Sequence, residues 1–113
     1  MNKDNLTYLH LMMDSFKKVQ DYIKDMSYES FSADSKTQSA VIMQLQVIGE
    51  LAKKVPDELK QDIDIPWKQI SGMRDMVSHD YFNLDMKTVW DTVVTSVPDT
   101  KEKIEVYLKT AIN

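Results

Sequence analysis

The sequence predicts an all-α protein, an antiparallel bundle of four or five helices formed by a single domain over residues 1–113. Two observations carry that expectation. The chain has only two glycines and three prolines in 113 residues, whereas a sheet protein needs frequent turns, which are commonly made with Gly, Pro, Asn and Asp. Its apolar residues also recur at spacings of three and four through most of its length, the period of helices that bury one face.

Residues 4–26 place Leu6, Leu9, Met13, Phe16, Val19 or Gln20, and Ile23 in one stripe, with Lys17, Lys18, Asp21, Lys24 and Asp25 mostly elsewhere. This is a first amphipathic helix. The stretch SYESFSADSK has no such stripe and reads as a loop, in which Ser32 or Asp34 caps the next helix. That second helix, over 35–54, has Val41, Leu45, Ile48, Leu51 or Ala52, and Val55 as its inner stripe. Pro56 ends it. PDELKQDIDIPW then gives a short turn of helix and a connector, because Pro66 biases Ile65 towards an extended backbone.

Pro66 also suits the first position of a third helix, which Trp67, Ile70, Met73 or Arg74, and Val77 carry to Asp80. After a polar break at Asn83 to Asp85, the stripe Met86, Val89, Trp90, Val93 and Val97 marks a fourth. Pro98 then kinks the chain or opens a fifth helix with Ile104, Tyr107, Leu108 and Ile112. A domain of this size buries only about two-thirds of its unfolded surface, so a dimer that hides one further apolar face is expected. Eight methionines supply adaptable packing for the core or for such an interface.

Composition bounds the function. With 42% hydrophobic and 28% charged residues the chain has the make-up of an ordinary soluble globular protein. The absence of cysteine excludes a disulfide framework, a thiolate zinc site and a cysteine nucleophile. Neither a signal-peptide pattern nor a run of about eighteen apolar residues is present, so a cytoplasmic protein with no membrane span is expected. A net charge of −4 disfavours nonspecific coating of nucleic acid, which depends on many phosphate contacts. Any nucleic-acid chemistry would therefore be local.

The segment SGMRDMVSHDYFNLD concentrates the chemistry-bearing side chains. Thirteen of the fourteen basic residues are lysine, and the one arginine is Arg74, five residues before His79. A guanidinium at that place implies a geometric need, either bidentate phosphate binding or a buried ion pair. On an ideal helix the two residues differ by about 140° and about 7.5 Å along the axis. To act on one atom, the helix must loosen at His79, or one residue must come from a second copy across a twofold axis. Asp75 lies four residues before His79, where its carboxylate can orient the imidazole. Ser78 follows Arg74 by a turn, and Tyr81 lies two turns along the arginine's own stripe.

These groups suit RNA phosphodiester cleavage. A base takes the 2′-hydroxyl proton, an acid protonates the leaving 5′-oxygen, and a cation steadies the charge on the phosphate oxygens. Histidine can fill both proton roles near neutral pH, and arginine binds two phosphate oxygens while staying charged. The scheme requires no metal and no cofactor.

Arg74, four residues, His79, one residue, Tyr81 resembles the signature of the HEPN superfamily as it occurs in HepT-like toxins. The likeness extends to AVIMQLQVIGELAKKVPDEL and IPWKQISGMRDMVSHDYFNLDMKTVWDTV, and spans about residues 38–110. It implies a metal-independent RNase toxin that dimerises through the motif helices. Arg74 and His79 would be the catalytic pair at the dimer cleft, with Asp75 and Ser78 supporting. Tyr81 would be the tyrosine to which a minimal nucleotidyltransferase antitoxin transfers AMP, placing a bulky anion beside the guanidinium. Ser78 is a departure, since the family more often has an apolar residue before the histidine.

A non-catalytic HEPN subunit that binds nucleotide or positions a partner nucleotidyltransferase is the alternative. Of the remaining polar residues, Glu50 is expected to pair with Lys54 or, on the family reading, to lie near the cleft. His10 is expected to be structural or solvated. Lys53 and Lys54, with Lys68, could help hold RNA, although scattered lysines are usually solvated, and Trp67 and Trp90 read as core or interface anchors rather than base-stacking platforms.

Overall fold

The first helix, α1 (Thr7–Tyr22), buries Leu9, Met12, Met13, Phe16 and Val19 along one face. The computed structural model describes residues 6–111, and every regular element among them is helical. The part of the expected first helix at residues 4 and 5 lies outside the described residues, as does Ile112. The chain turns away beyond α1 at Asp25, whose φ of 63° is a left-handed conformation that a short polar side chain tolerates.

The stretch expected to be a loop contains a short helix, α2 (Tyr28–Ser32). Its cause is local and tertiary together. The Ser30 amide donates to Ser27 Oγ at 3.1 Å while the Ser27 amide donates to Ser30 Oγ at 2.9 Å, a reciprocal cap made here by two serines. Phe31 then anchors the turn, fully buried with its ring centroid 5.3 Å from that of Trp90. Asp34 caps the next helix, α3 (Ser35–Lys54), accepting from the Thr37 amide at 3.0 Å and the Thr37 hydroxyl at 2.7 Å. Ser32, the other candidate cap, belongs to α2 and donates to the Glu29 carbonyl.

A single turn, α4 (Asp57–Lys60), follows Pro56. The connector then leads to α5 (Trp67–Asp80), with Pro66 one residue outside it. The Trp67 indole N–H ties the connector to α5, donating to the carbonyls of Lys60 at 3.1 Å and Ile63 at 3.0 Å. A 3-10 turn at Tyr81–Asn83 leads to α6 (Met86–Asp91), which Asp85 caps through the Lys87 amide.

Pro98 is the second residue of the last helix, which begins at Val97, as the alternative of a new helix there expected, and the chain enters that helix without an intervening loop. From α6 the backbone passes through a π-helical segment, Thr92–Ser96, directly into α7 (Val97–Ala111). Proline has no N–H for the carbonyl four residues back, and its ring crowds that carbonyl. A wider turn immediately before it accommodates both effects without ending the helix.

Helix α3 packs against both α1 and α5, α7 packs against α1, and α2 bridges α3 and α6. The buried cluster they share is almost wholly aliphatic and aromatic, with Val41, Leu45, Ile48 and Ala52 from α3 meeting Ile70 and Val77 from α5 and Val89, Val93, Ile104 and Leu108 from the last helices. Among the described residues no helix is long and apolar enough to cross a membrane.

Candidate active site

The site is built where α3 and α5 touch most closely, and a glycine sets that distance. Gly49 is buried, and a Cβ at this position would lie 2.7 Å from the Arg74 backbone nitrogen and 3.0 Å from the Ile70 carbonyl oxygen. The two backbones thus meet at the root of Arg74. Glu50, the next residue on α3, reaches across, and its Oε2 forms an ion pair with Arg74 Nε at 3.0 Å. One turn further, Lys53 Nζ donates to both carboxylate oxygens of Asp75 at 3.1 and 3.3 Å. Asp75 Oδ1 also accepts a longer contact from Arg74 Nη1, at 3.4 Å.

Two cations and two carboxylates from two helices therefore form one chain of ion pairs. It lies at the surface, with the Arg74 and Glu50 side chains 44% and 45% exposed. Pairs this exposed contribute only about 0–1 kcal/mol each. Their effect is geometric: Glu50 at Nε and Asp75 at Nη1 fix the plane of the guanidinium from two sides. The hydrogen bond from Lys53, followed by the charges of Lys53 and Arg74, holds the Asp75 carboxyl below the usual carboxylate range despite some opposing desolvation.

Several local expectations give way to these cross-helix contacts. Glu50 pairs with Arg74 rather than Lys54, whose ammonium lies 6.0 Å from the centre of the Tyr8 ring. Asp75 directs its carboxylate to Lys53 and Arg74 rather than to His79. The arginine's ion pair is half-exposed, not buried. The helix does not loosen at His79, because α5 remains α-helical through Asp80. Arg74 and His79 thus keep the separation of an ideal helix, about 140° apart within one chain.

Ser78 and His79 are exposed on the last turn of α5, and His10 is exposed on α1. Tyr81 follows with φ −51° and ψ −46°, so the backbone keeps its helical sense and the phenol stays on the arginine's side, two turns on. Tyr81 is 45% exposed, and its ring meets that of the almost wholly exposed Phe82 edge-on at 5.5 Å. Trp67 and Trp90 both pack on the core. Sequence reasoning missed Gly49 and the pairing of Lys53 with Asp75. The available signal was an isolated glycine inside the apolar stripe of IGELAKK, a pattern that marks a packing or functional need.

Among the described residues no group of three or more His, Asp or Glu is placed to hold a metal ion. A mostly apolar groove of about 370 Å³ lies between α5 and α6, lined in part by Met73, Met76, Leu84 and Val89. None of Arg74, Asp75, Ser78, His79 or Tyr81 lines it. The polar site lies on open surface instead.

The family model described as Ribonuclease HepT-like matches residues 12–107, a span that includes the whole α3–α5 contact. The chain belongs to the HepT-like ribonuclease family. It is 34% identical over 106 residues to a protein of Thermococcus cleftensis named as a probable ribonuclease HepT, covering 93% of this chain and 96% of that one. A protein of Methanocaldococcus jannaschii named as a candidate RNase is 35% identical over 108 residues, covering 95% and 89%. One of Caldanaerobacter subterraneus, named likewise, is 29% identical over 103 residues, covering 90% and 92%. No solved structure matches the chain. In this member of the family Arg74 lies midway along α5, His79 on its last turn and Tyr81 at the start of the turn that follows.

Proposed function

We propose that this HepT-like chain is a metal-independent endoribonuclease, the cytoplasmic toxin of a toxin–antitoxin pair, acting as a single-domain helical bundle that dimerises through its α5 helices. One observation carries the reading: the chain's only arginine is held at the surface by Glu50, with His79 exposed on the same helix, in a member of a ribonuclease family. Arg74 binds the phosphate oxygens, and His79 moves the proton of the 2′-hydroxyl or of the leaving 5′-oxygen. Asp75 and Ser78 support the pair.

The helical separation favours a composite site. An α5 that stays regular through His79 keeps the two groups on different sides of one helix. A second α5 across a twofold axis brings the arginine of one protomer to the histidine of its partner. The half-exposed Met76 on α5 supplies apolar surface for such a contact.

The test is RNA cleavage in EDTA by the wild type, Arg74→Ala and His79→Ala, with the dimer confirmed by light scattering. Both variants should lose cleavage as dimers, and unchanged cleavage in both would sink the proposal. Mixing the two inactive variants should restore activity through heterodimers with one intact composite site. No recovery, with heterodimers demonstrated, would place each site within one protomer.

Silencing is proposed to occur by AMP transfer from ATP to Tyr81 by a cognate minimal nucleotidyltransferase. The exposure of the phenol and its place along the arginine's stripe support this reading. Mass spectrometry should find AMP on Tyr81 in the wild type and none in Tyr81→Phe; label confined to other residues overturns the assignment. A second reading, a non-catalytic subunit that binds nucleotide or positions the nucleotidyltransferase, is favoured by the charge compensation of Arg74. That reading requires that the wild type alone leave RNA intact.

A further inference from the structure

Lys53 stands apart from most of the other lysines whose contacts are described. Lys87, Lys103 and Lys109 each pair with an acid four residues away on their own helix, and Lys101 is bound to Gln20. Lys53 is joined instead to Arg74, through an acceptor they share: Asp75 Oδ1 lies 3.1 Å from Lys53 Nζ and 3.4 Å from Arg74 Nη1. Both nitrogens lie within reach of a single oxygen atom. One phosphate group could therefore bridge them, with one non-bridging oxygen towards each.

We propose that Lys53 is a second phosphate-binding cation of the RNA site, and that Asp75 occupies the phosphate's place in the free protein. The inference rests on the ribonuclease reading for the identity of the anion. A carboxylate and a phosphodiester both carry one negative charge shared by two oxygens, so one can replace the other between an ammonium and a guanidinium. Asp75 is half-exposed and swings into water without being buried as an unpaired charge. Glu50 stays on Nε throughout, so the guanidinium keeps its orientation while its Nη groups change partner. A chain with net charge −4 thus gathers two cations from two helices at one point and screens them until RNA arrives.

The arrangement is tested by binding of a 2′-O-methyl oligouridylate, in which the attacking hydroxyl is blocked and binding is separated from cleavage. Lys53→Met should weaken binding about tenfold, the loss of one charged hydrogen bond. It should also lower the salt slope by about 0.7, the contribution of one phosphate on a single strand. Lys53→Arg should keep both affinity and slope, which guards against misfolding as the cause. Asp75→Asn should bind more tightly than the wild type.

The decisive comparison is Lys53→Met in the Asp75→Asn background. There the loss of affinity and slope should persist. If it vanishes, Lys53 only neutralises Asp75 and the proposal falls; it falls also if Lys53→Met binds like the wild type, or if the wild type does not bind the probe. Cleavage of unmodified RNA is scored separately. A wild type that binds the probe but cuts nothing defeats the ribonuclease reading and leaves the two-cation site standing.

Discussion

Gly49 and Arg74 are in backbone contact across two helices, with no room for even a methyl group between them. Replacing Gly49 with Ala gains about 1 kcal/mol of helix propensity. It also drives a Cβ into the Arg74 nitrogen and the Ile70 carbonyl, neither of which can rotate away, and overpacking of this kind costs about 1–3 kcal/mol. Gly49→Ala should therefore be neutral to destabilising by up to about 2 kcal/mol in urea unfolding, with RNA cleavage reduced because α5 shifts under Arg74. Gly72→Ala is the control. No atom outside the immediate backbone lies within 4 Å of a Cβ at this position, so the substitution should stabilise by about 0.5–1 kcal/mol. Equal effects at the two glycines would show that α3 and α5 leave room for a methyl group at Gly49.

Stability should depend on acid pH through Asp34 and Asp75. The Thr37 hydroxyl and amide hold the Asp34 carboxyl below its ordinary value, and Lys53 does the same for Asp75. A carboxyl whose folded pKa is depressed stabilises fully above the unfolded value of about 3.9, and that contribution is lost as pH falls through the folded value. The unfolding midpoint should hold from neutral pH to about pH 5 and decline below about pH 4. Asp34→Asn still caps α3 but cannot titrate, so combined with Asp75→Asn it should flatten part of the decline. A double variant with the wild-type pH profile would remove both carboxyls from the account.

Arg74→Lys should not rescue Arg74→Ala. The guanidinium meets Glu50 through Nε and Asp75 through Nη1 at once, whereas an ammonium on a shorter fork-less stem cannot hold both and also face a phosphate. The expected loss in kcat/KM for RNA is on the order of 100-fold, comparable to removing one donor from a charge-stabilising site. Near-normal cleavage by Arg74→Lys would mean that charge alone suffices.

Trp67→Phe should lower stability by about 1 kcal/mol. The ring body still packs on the core, but the indole N–H no longer binds the Lys60 and Ile63 carbonyls that fix the entry to α5. Differential scanning calorimetry measures the effect. An unchanged midpoint would show that these carbonyls are equally well satisfied by water.

The sequence made the long helices legible because their signals are periodic and repeated. The boundaries of α3 and the end of α5 fell where Asp34, Pro56 and the apolar stripes placed them. The features it concealed depend on distant partners. The two serines that form the α2 cap are weak signals without the burial of Phe31 against Trp90. Within the site, counting by fours assigned Glu50 to Lys54 and Asp75 to His79, yet both carboxylates turned to cations on the neighbouring helix. Local spacing cannot weigh such a competition, because it is decided by how closely α3 and α5 approach, and that distance depends on the missing side chain of Gly49.

The π segment ahead of Pro98 also sets the rotational phase of everything beyond it. A π turn holds more residues than an α turn, so it offsets the angular drift that would build up along Val89, Val93 and Val97 in four-residue steps. Deleting one residue between Thr92 and Ser96 would turn α7 by about 100°. Ile104 and Leu108 would leave the buried cluster, and polar residues would face α1 in their place. The widened turn is thus a timing element in the chain: one residue gained or lost here re-aims every side chain of α7 at once.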